Sequence, residues 1–241
     1  MVRCNKVQGW QALGIVSVTL LALQAPVAEA QAPIALTGYN ANVITPADKS
    51  NGPRTSFDGG SYGWYEAGAV DDHGRLRDDD GLTVGTFVSA ATNSVTGANT
   101  IFQIQPTNGN NVLLVGPSDT LTLTLVTPAS YSSIAILASS GSGGGQGTLT
   151  LNYADGSTDT ELYNGDDWCD NYNHSYAAVS GLGRALDEIG DGTGFFYKHE
   201  CDFGLYETDL AADPTKTIVS VTFSQAAGNA AFTGIFGISG Q

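Results

Sequence analysis

After residue 30 the sequence has no helical periodicity of useful length. It consists of short alternating or β-branched runs separated by clusters of Gly, Asn, Asp and Pro, a spacing that is typical of an all-β protein. Residues 120–126 (TLTLTLV) and 148–153 (TLTLNY) alternate strictly, which predicts strands with one buried and one exposed face. Residues 132–138 (SSIAILA) are almost wholly apolar, as in a central strand under a second layer. We therefore expect a two-sheet β-sandwich of the jelly-roll type.

The turns agree with this fold. Asp155-Gly156 lies between two strand patterns and is a strong hairpin signal. The run at 139–147 (SSGSGGGQG) also lies between strands, so we interpret it as a loop at one end of the sandwich rather than as a linker. Residues 31–241 are accordingly predicted to form a single β-sandwich domain.

Residues 1–30 have the layout of a secretory signal peptide. Arg3 and Lys6 precede an apolar stretch at 12–23, and Ala28-Glu29-Ala30 places small residues where a signal peptidase cleaves. A membrane anchor is the alternative, but the apolar stretch is shorter than the roughly 20 residues of a spanning helix. We expect a secreted protein, extracellular or periplasmic, with no membrane insertion after cleavage.

The charge of the chain narrows the list of partners. The whole sequence carries a formal charge of −15, and loss of the leader, with its two basic residues and one acidic residue, makes the remainder more negative by one charge. Such a chain repels phosphate backbones and anionic lipid heads, so nucleic acid is not an expected partner.

Two cysteines remain once Cys4 leaves with the leader. An even number in an oxidising compartment predicts a disulfide between Cys169 and Cys201. A metal site with the neighbouring His174 and His199 is the alternative, although the C-x4-H and H-x-C spacings match no common zinc pattern.

The segment at 166–176 combines aromatic rings with short polar side chains. Sugars are bound in this way, because a ring face packs against the C–H side of the sugar while carboxylates and amides bond its hydroxyls. Alternatively, Trp168 caps the core and the carboxylates are solvated. The candidate ligand-binding residues here are Trp168, Asp170, Asn171, Tyr172 and Tyr176.

A second candidate region follows residue 58. Trp64 and Tyr65 are further aromatic candidates for ligand binding, and Glu66 beside them is a conceivable catalytic acid. The acidic run at 71–80 (DDHGRLRDDD) suggests a calcium site, since hard cations take several carboxylate oxygens. A solvated loop whose Arg residues neutralise its own acids is the competing interpretation. The candidate metal ligands are Asp71, Asp72, Asp78 and Asp80.

Several short motifs carry a family resemblance. Residues 55–62 (TSFDGGSY) resemble a stretch of secreted bacterial sugar-binding modules with a galactose-binding-like jelly roll. A glycine-bearing segment, a Tyr-Ala-Asp-Gly-Ser hairpin and an Asp-Trp pair follow in those modules, and here they are 135–142, 153–157 and Asp167-Trp168. Residues 108–138 also resemble exported bacterial proteins of unknown activity that often carry a Pro-Glu-Pro sorting tail. Since the sequence ends at Gly240-Gln241, release rather than surface sorting is expected.

Three function hypotheses follow. The first is a secreted, non-enzymatic protein that binds a glycan or polysaccharide surface or associates with the extracellular matrix. The second is a glycan-active hydrolase or lyase that uses acidic residues of the long loops 58–81 and 164–204. The third is a structural envelope protein without a small-molecule ligand. No H-E-x-x-H motif is present to name a reaction.

Overall fold

A computed structural model describes residues 30–49, 55–70, 80–169, 174–187, 195–225 and 232–241; only the backbone is described for Gly145, Asp187 and 195–200. The leader prediction and the candidate residues Asp71, Asp72, Asp78, Asp170, Asn171 and Tyr172 lie outside these ranges. In the described residues every regular element is a strand, and no helix is long and apolar enough to cross a membrane.

The strands form two large sheets and a separate hairpin. The larger sheet, in the order β1-β15-β9-β13-β12-β4-β3 with β7 also paired to β15, contains β1 (Ala32–Pro33), β3 (Ile44–Thr45), β4 (Tyr62–Tyr65), β7 (Leu113–Val115), β9 (Ser133–Gly141), β12 (Ala177–Asp187), β13 (Phe195–Ala211) and β15 (Phe232–Gly240). The smaller sheet, in the order β11-β10-β14-β8-β2, contains β2 (Leu36–Thr37), β8 (Thr120–Ala129), β10 (Gly145–Tyr153), β11 (Thr158–Gly165) and β14 (Ile218–Gln225). The hairpin consists of β5 (Gly85–Thr92) and β6 (Asn99–Ile104).

The first core lies between the two large sheets. In β8, Leu123 and Leu125 are buried while Thr122 and Thr124 on the opposite face are exposed. Leu149 and the other inward side chains of β10 and β14 complete this core. The alternation that predicted half-buried strands is therefore confirmed, and the chain is an all-β sandwich.

A second core covers the other face of the larger sheet. Every residue of β9 is buried, because Ile134 and Ile136 enter the first core while Ala135 and Leu137 enter the second. The second core is closed by the β5–β6 hairpin, through Phe102 and its neighbours. The predicted strand at 132–138 is therefore confirmed as a strand covered on both faces, although it begins at Ser133 and Ser132 is exposed.

Two local predictions are also confirmed. Asp155-Gly156 joins β10 to β11, and Gly156 has a φ of +83°, a value that L-residues rarely adopt. Cys169 and Cys201 form a disulfide with their Cα atoms 5.4 Å apart. Sulfur atoms bonded to each other do not serve as thiolate ligands, so the metal alternative for this pair is wrong.

Candidate functional site

The large aromatic residues proposed for sugar stacking are buried, Trp64 and Trp168 in the second core and Tyr65 in a small separate cluster with Ala69 and Ala185. Trp64 is 0% exposed, Tyr65 1% and Trp168 2%. Trp168 packs against Trp64 at 5.1 Å and against Phe203 at 5.1 Å between ring centroids. Its backbone is fixed between two strands, because Trp168 N donates to Ser140 O and Gly204 N donates to Trp168 O. No face of these rings is available to a ligand, so their assignment as binding residues is corrected to core residues.

The motifs that carry the family resemblance shape loops beside this core. Asp58 Oδ1 accepts hydrogen bonds from Ser56 Oγ and Gly60 N, each 2.8 Å long, which fixes the glycine turn. Its other oxygen lies 3.6 Å from Arg184 Nη1, and the Arg184 guanidinium lies 3.7 Å from the centre of the Tyr62 ring. These contacts account for the residues of the motif without a ligand.

Glu66 and Asp80 each accept a hydrogen bond from a backbone N–H. Glu66 is half-buried, and its Oε2 accepts a hydrogen bond from Ala47 N at 3.0 Å. Asp80 is half-buried, and its backbone oxygen accepts from Gly183 N at 2.9 Å. Across the described part of the chain, no group of three or more His, Cys, Asp or Glu side chains is arranged to hold a metal ion. The calcium prediction is thus unsupported at Asp80, the member of its set that the structure describes.

Tyr176 differs from the other aromatic candidates because it lies at the rim of a pocket. Its ring is half-buried, stacks on His174 at 4.7 Å and lies 6.0 Å from the Tyr206 ring. The pocket has a volume of about 310 Å³. Its lining is polar except for the Tyr176 ring and consists of Thr92, Ser94, Asn164, Ser175, Tyr176, Glu207, Thr208 and Asp209.

Glu207 lies at the inner wall of this pocket and is only 4% exposed. Its Oε2 accepts a hydrogen bond of 2.5 Å from Ser89 Oγ on β5. Its Oε1 accepts from Thr100 Oγ1 on β6 and, at 3.4 Å, from Asn93 Nδ2 at the hairpin turn. Both oxygens of a buried carboxyl group on β13 are therefore bonded to the hairpin.

Asp209 lies two residues further along the same face of β13. Asn93 Nδ2 donates to its Oδ1 at 2.7 Å, and Ser94 N donates to its Oδ2 at 2.6 Å. Asn93 also uses its own Oδ1 to accept from the backbone of Val95 and Thr96, which fixes the turn. The same amide thus organises the hairpin tip and holds it against Asp209.

The proximity of the two carboxyl groups alters the acidity of Glu207. The pKa of Glu207 is raised from 4.5 to about 7, chiefly by burial and next by a hydrogen bond with the neighbouring Asp209, against the lowering effect of the Ser89 and Thr100 hydroxyls. Below pH 7 Glu207 therefore holds a proton beside Asp209 in most molecules. A carboxyl group in this state can donate a hydrogen bond as well as accept one.

The carboxyl pair was not singled out from the sequence. The expectation of a long loop at 164–204 was also wrong, because β12 and the first half of β13 lie within this range. The one signal of the carboxyl pair is Glu207 and Asp209 at alternate positions of LYETDL, which places two acids on one strand face. Their partners Ser89, Asn93 and Thr100 lie more than 100 residues away in the sequence, and only the fold brings them together.

The comparisons with known proteins do not name this site. No protein family matches the chain when it is compared with family models, and no curated protein matches it. The resemblance to galactose-binding-like sugar-binding modules consequently stays a prediction.

Proposed function

We propose that this chain is an exported, galactose-binding-like jelly roll that binds a neutral carbohydrate in the pocket beside Tyr176, without catalysing a reaction. The observation that carries the proposal is the lining of the pocket, where a partly exposed tyrosine ring borders carboxyl, amide and hydroxyl groups. A ring of this kind packs against the apolar side of a sugar, while the polar groups bond its hydroxyls. The disulfide is in keeping with an oxidising compartment.

The size and charge of the pocket narrow the ligand class. A volume of about 310 Å³ lies near the lower end for small-molecule pockets, which suits one or two sugar units at the end of a glycan. The pocket lining contains no Lys or Arg and includes two acidic residues. Uronic acids and sulfated sugars would be repelled, so a neutral sugar fits best.

A glycan hydrolase is the second candidate, because Glu207 has the raised pKa of a catalytic acid. The environment of Glu207 argues against it. Both oxygens of its carboxyl group accept hydrogen bonds from the hairpin, and the residue is only 4% exposed. The carboxyl group is therefore poorly placed to protonate the glycosidic oxygen of a substrate.

A glycan array tests the proposal with the purified protein at pH 6, where the carboxyl pair holds its proton. We expect neutral glycans to be retained, and Tyr176→Ala to lose them at unchanged melting temperature. Tyr131→Ala is the matched control, since Tyr131 is also partly buried but does not line the pocket. Absence of any retained glycan would refute the proposal and favour the structural envelope protein; cleavage of a glycan would favour the hydrolase.

A further inference from the structure

The tip of the β5–β6 hairpin is held on the larger sheet through carboxyl groups. Ser89, Asn93, Ser94 and Thr100 all donate hydrogen bonds, and all of these end on Glu207 or Asp209. The opposite end of the hairpin is attached differently, since Ile104 and Phe102 are buried in the second core. The root is therefore fixed by apolar packing, while the tip is fixed by bonds to two acids.

Few other ionisable groups face the carboxyl pair. The hairpin, residues 85–104, contains no ionisable side chain, and neither does β9, which pairs with β13 at Leu137 opposite Glu207. Among the described residues that line the pocket or stack on its lining, the remaining titratable groups are Tyr176 and the His174 ring stacked on it. The proton of the pair is thus the titration that most directly affects the hairpin tip near neutral pH.

The same tip forms part of the pocket. Thr92 and Ser94 line it together with Tyr176. A movement of the tip away from β13 would widen the pocket and admit water to Glu207, which the tip now covers. Tip position and ligand access are therefore coupled by geometry.

We propose that Glu207 and Asp209 share one proton that latches the hairpin tip onto β13, so that the carbohydrate pocket is closed in at acid pH and loosens when the proton is lost. With the proton present, one carboxyl group donates to the other, and the hairpin donors satisfy the remaining oxygens. Without it, the buried Glu207 carboxylate and the half-buried Asp209 carboxylate repel each other, and lifting the tip lets water solvate both. The part that concerns the ligand rests on the proposed function, whereas the latch itself does not.

Amide hydrogen exchange of the ligand-free protein tests the latch separately from sugar binding. The reporters are the amides of the tip, Ser94 above all, because its N–H donates to Asp209. After division by the intrinsic exchange rate, their protection should fall by up to tenfold per pH unit between pH 4.5 and 7, as expected for one linked proton. Amides of β10 in the smaller sheet should show no such trend.

Glu207→Gln imitates the protonated state, because its amide can donate to Asp209 without titrating. In this variant the tip should stay protected across the whole range. Asp209→Asn should reduce the pH dependence without abolishing it, because burial still raises the pKa of Glu207. Glu161→Gln, which removes an exposed carboxylate from β11, should behave as the wild type. Tip protection that does not change with pH in the wild type, or that changes equally in Glu207→Gln, would overturn the latch whatever the glycan array shows.

Discussion

The pKa of Glu207 leads to a quantitative prediction for the variant Glu207→Gln. Folding raises this pKa from 4.5 to about 7, so the folded chain keeps a proton that the unfolded chain releases within this interval. Stability from this group is therefore fully present below pH 4.5 and is lost as the pH rises to 7. The full shift of the Glu207 pKa on folding corresponds to at most about 3 kcal/mol in the free energy of unfolding. Water in the adjoining pocket reduces this contribution to roughly 1–3 kcal/mol.

Urea denaturation at pH 4.5, 6 and 8 measures the effect. Glutamine keeps one acceptor for the hairpin hydroxyls and gains a donor toward Asp209, so wild type and variant should be about equally stable at pH 4.5. At pH 8 the variant should be more stable by roughly 1–3 kcal/mol. Since the carboxyl groups outside the pair titrate identically in both proteins, the difference isolates the Glu207–Asp209 pair. Two parallel curves of stability against pH would refute the reasoning, and Glu161→Gln controls for the change in net charge.

Three further changes test the fold. Replacing Cys169 and Cys201 by serine should lower the free energy of unfolding by about 3–4 kcal/mol, because a bond across their 32-residue separation no longer restricts the unfolded chain. Denaturation of the wild type with and without reductant measures the same effect, and equal curves would count against the disulfide. Trp168→Ala should lower the free energy of unfolding, measured by urea denaturation, by about 3–5 kcal/mol, yet keep the wild-type glycan-binding profile at low temperature. Loss of glycan binding with unchanged stability would instead indicate that Trp168 contacts the ligand. Gly156→Ala should lower stability by about 1 kcal/mol because of its positive φ, whereas Gly109→Ala, with equally open surroundings and no positive φ, should be close to neutral; calorimetry compares the two.

Much of the fold follows from local pattern in the sequence. The alternation of residues 120–126 and the apolar run at 132–138 each report how many faces of a strand are covered, because side chains point to opposite faces in turn. The Asp155-Gly156 turn and the Cys169–Cys201 pair are also local or compositional signals. Strand order carries no such signal. For example, nothing local indicates that β13 lies between β9 and β12.

The candidate site was predicted less well, for a related reason. An aromatic residue among polar neighbours has the same sequence pattern whether its ring is buried or exposed. Trp168 and Tyr176 both fit the pattern of a sugar site, but the strands on either side hold Trp168 in the second core and leave Tyr176 at the rim of a pocket. Burial of an isolated ring depends on which residues pack over it, and the rings that cover Trp168 belong to Phe57, Trp64 and Phe203, which lie elsewhere in the sequence.

The position of Glu207 is difficult to explain by stability alone. Further back on the same face of β13, Phe203 and Leu205 fill the second core, and an apolar side chain at 207 would extend that core beneath the hairpin tip. Replacing buried charged or polar groups by apolar residues of similar size is often neutral or stabilising. A carboxyl group here instead loses its hydration, and its hydrogen bonds offset that loss only in part, as its raised pKa reflects. Buried acids of this kind beside a pocket are typical of sites that bind or react. The carboxyl pair is therefore a stronger indication of function than the aromatic residues, and its proton connects the pocket to the element that covers it.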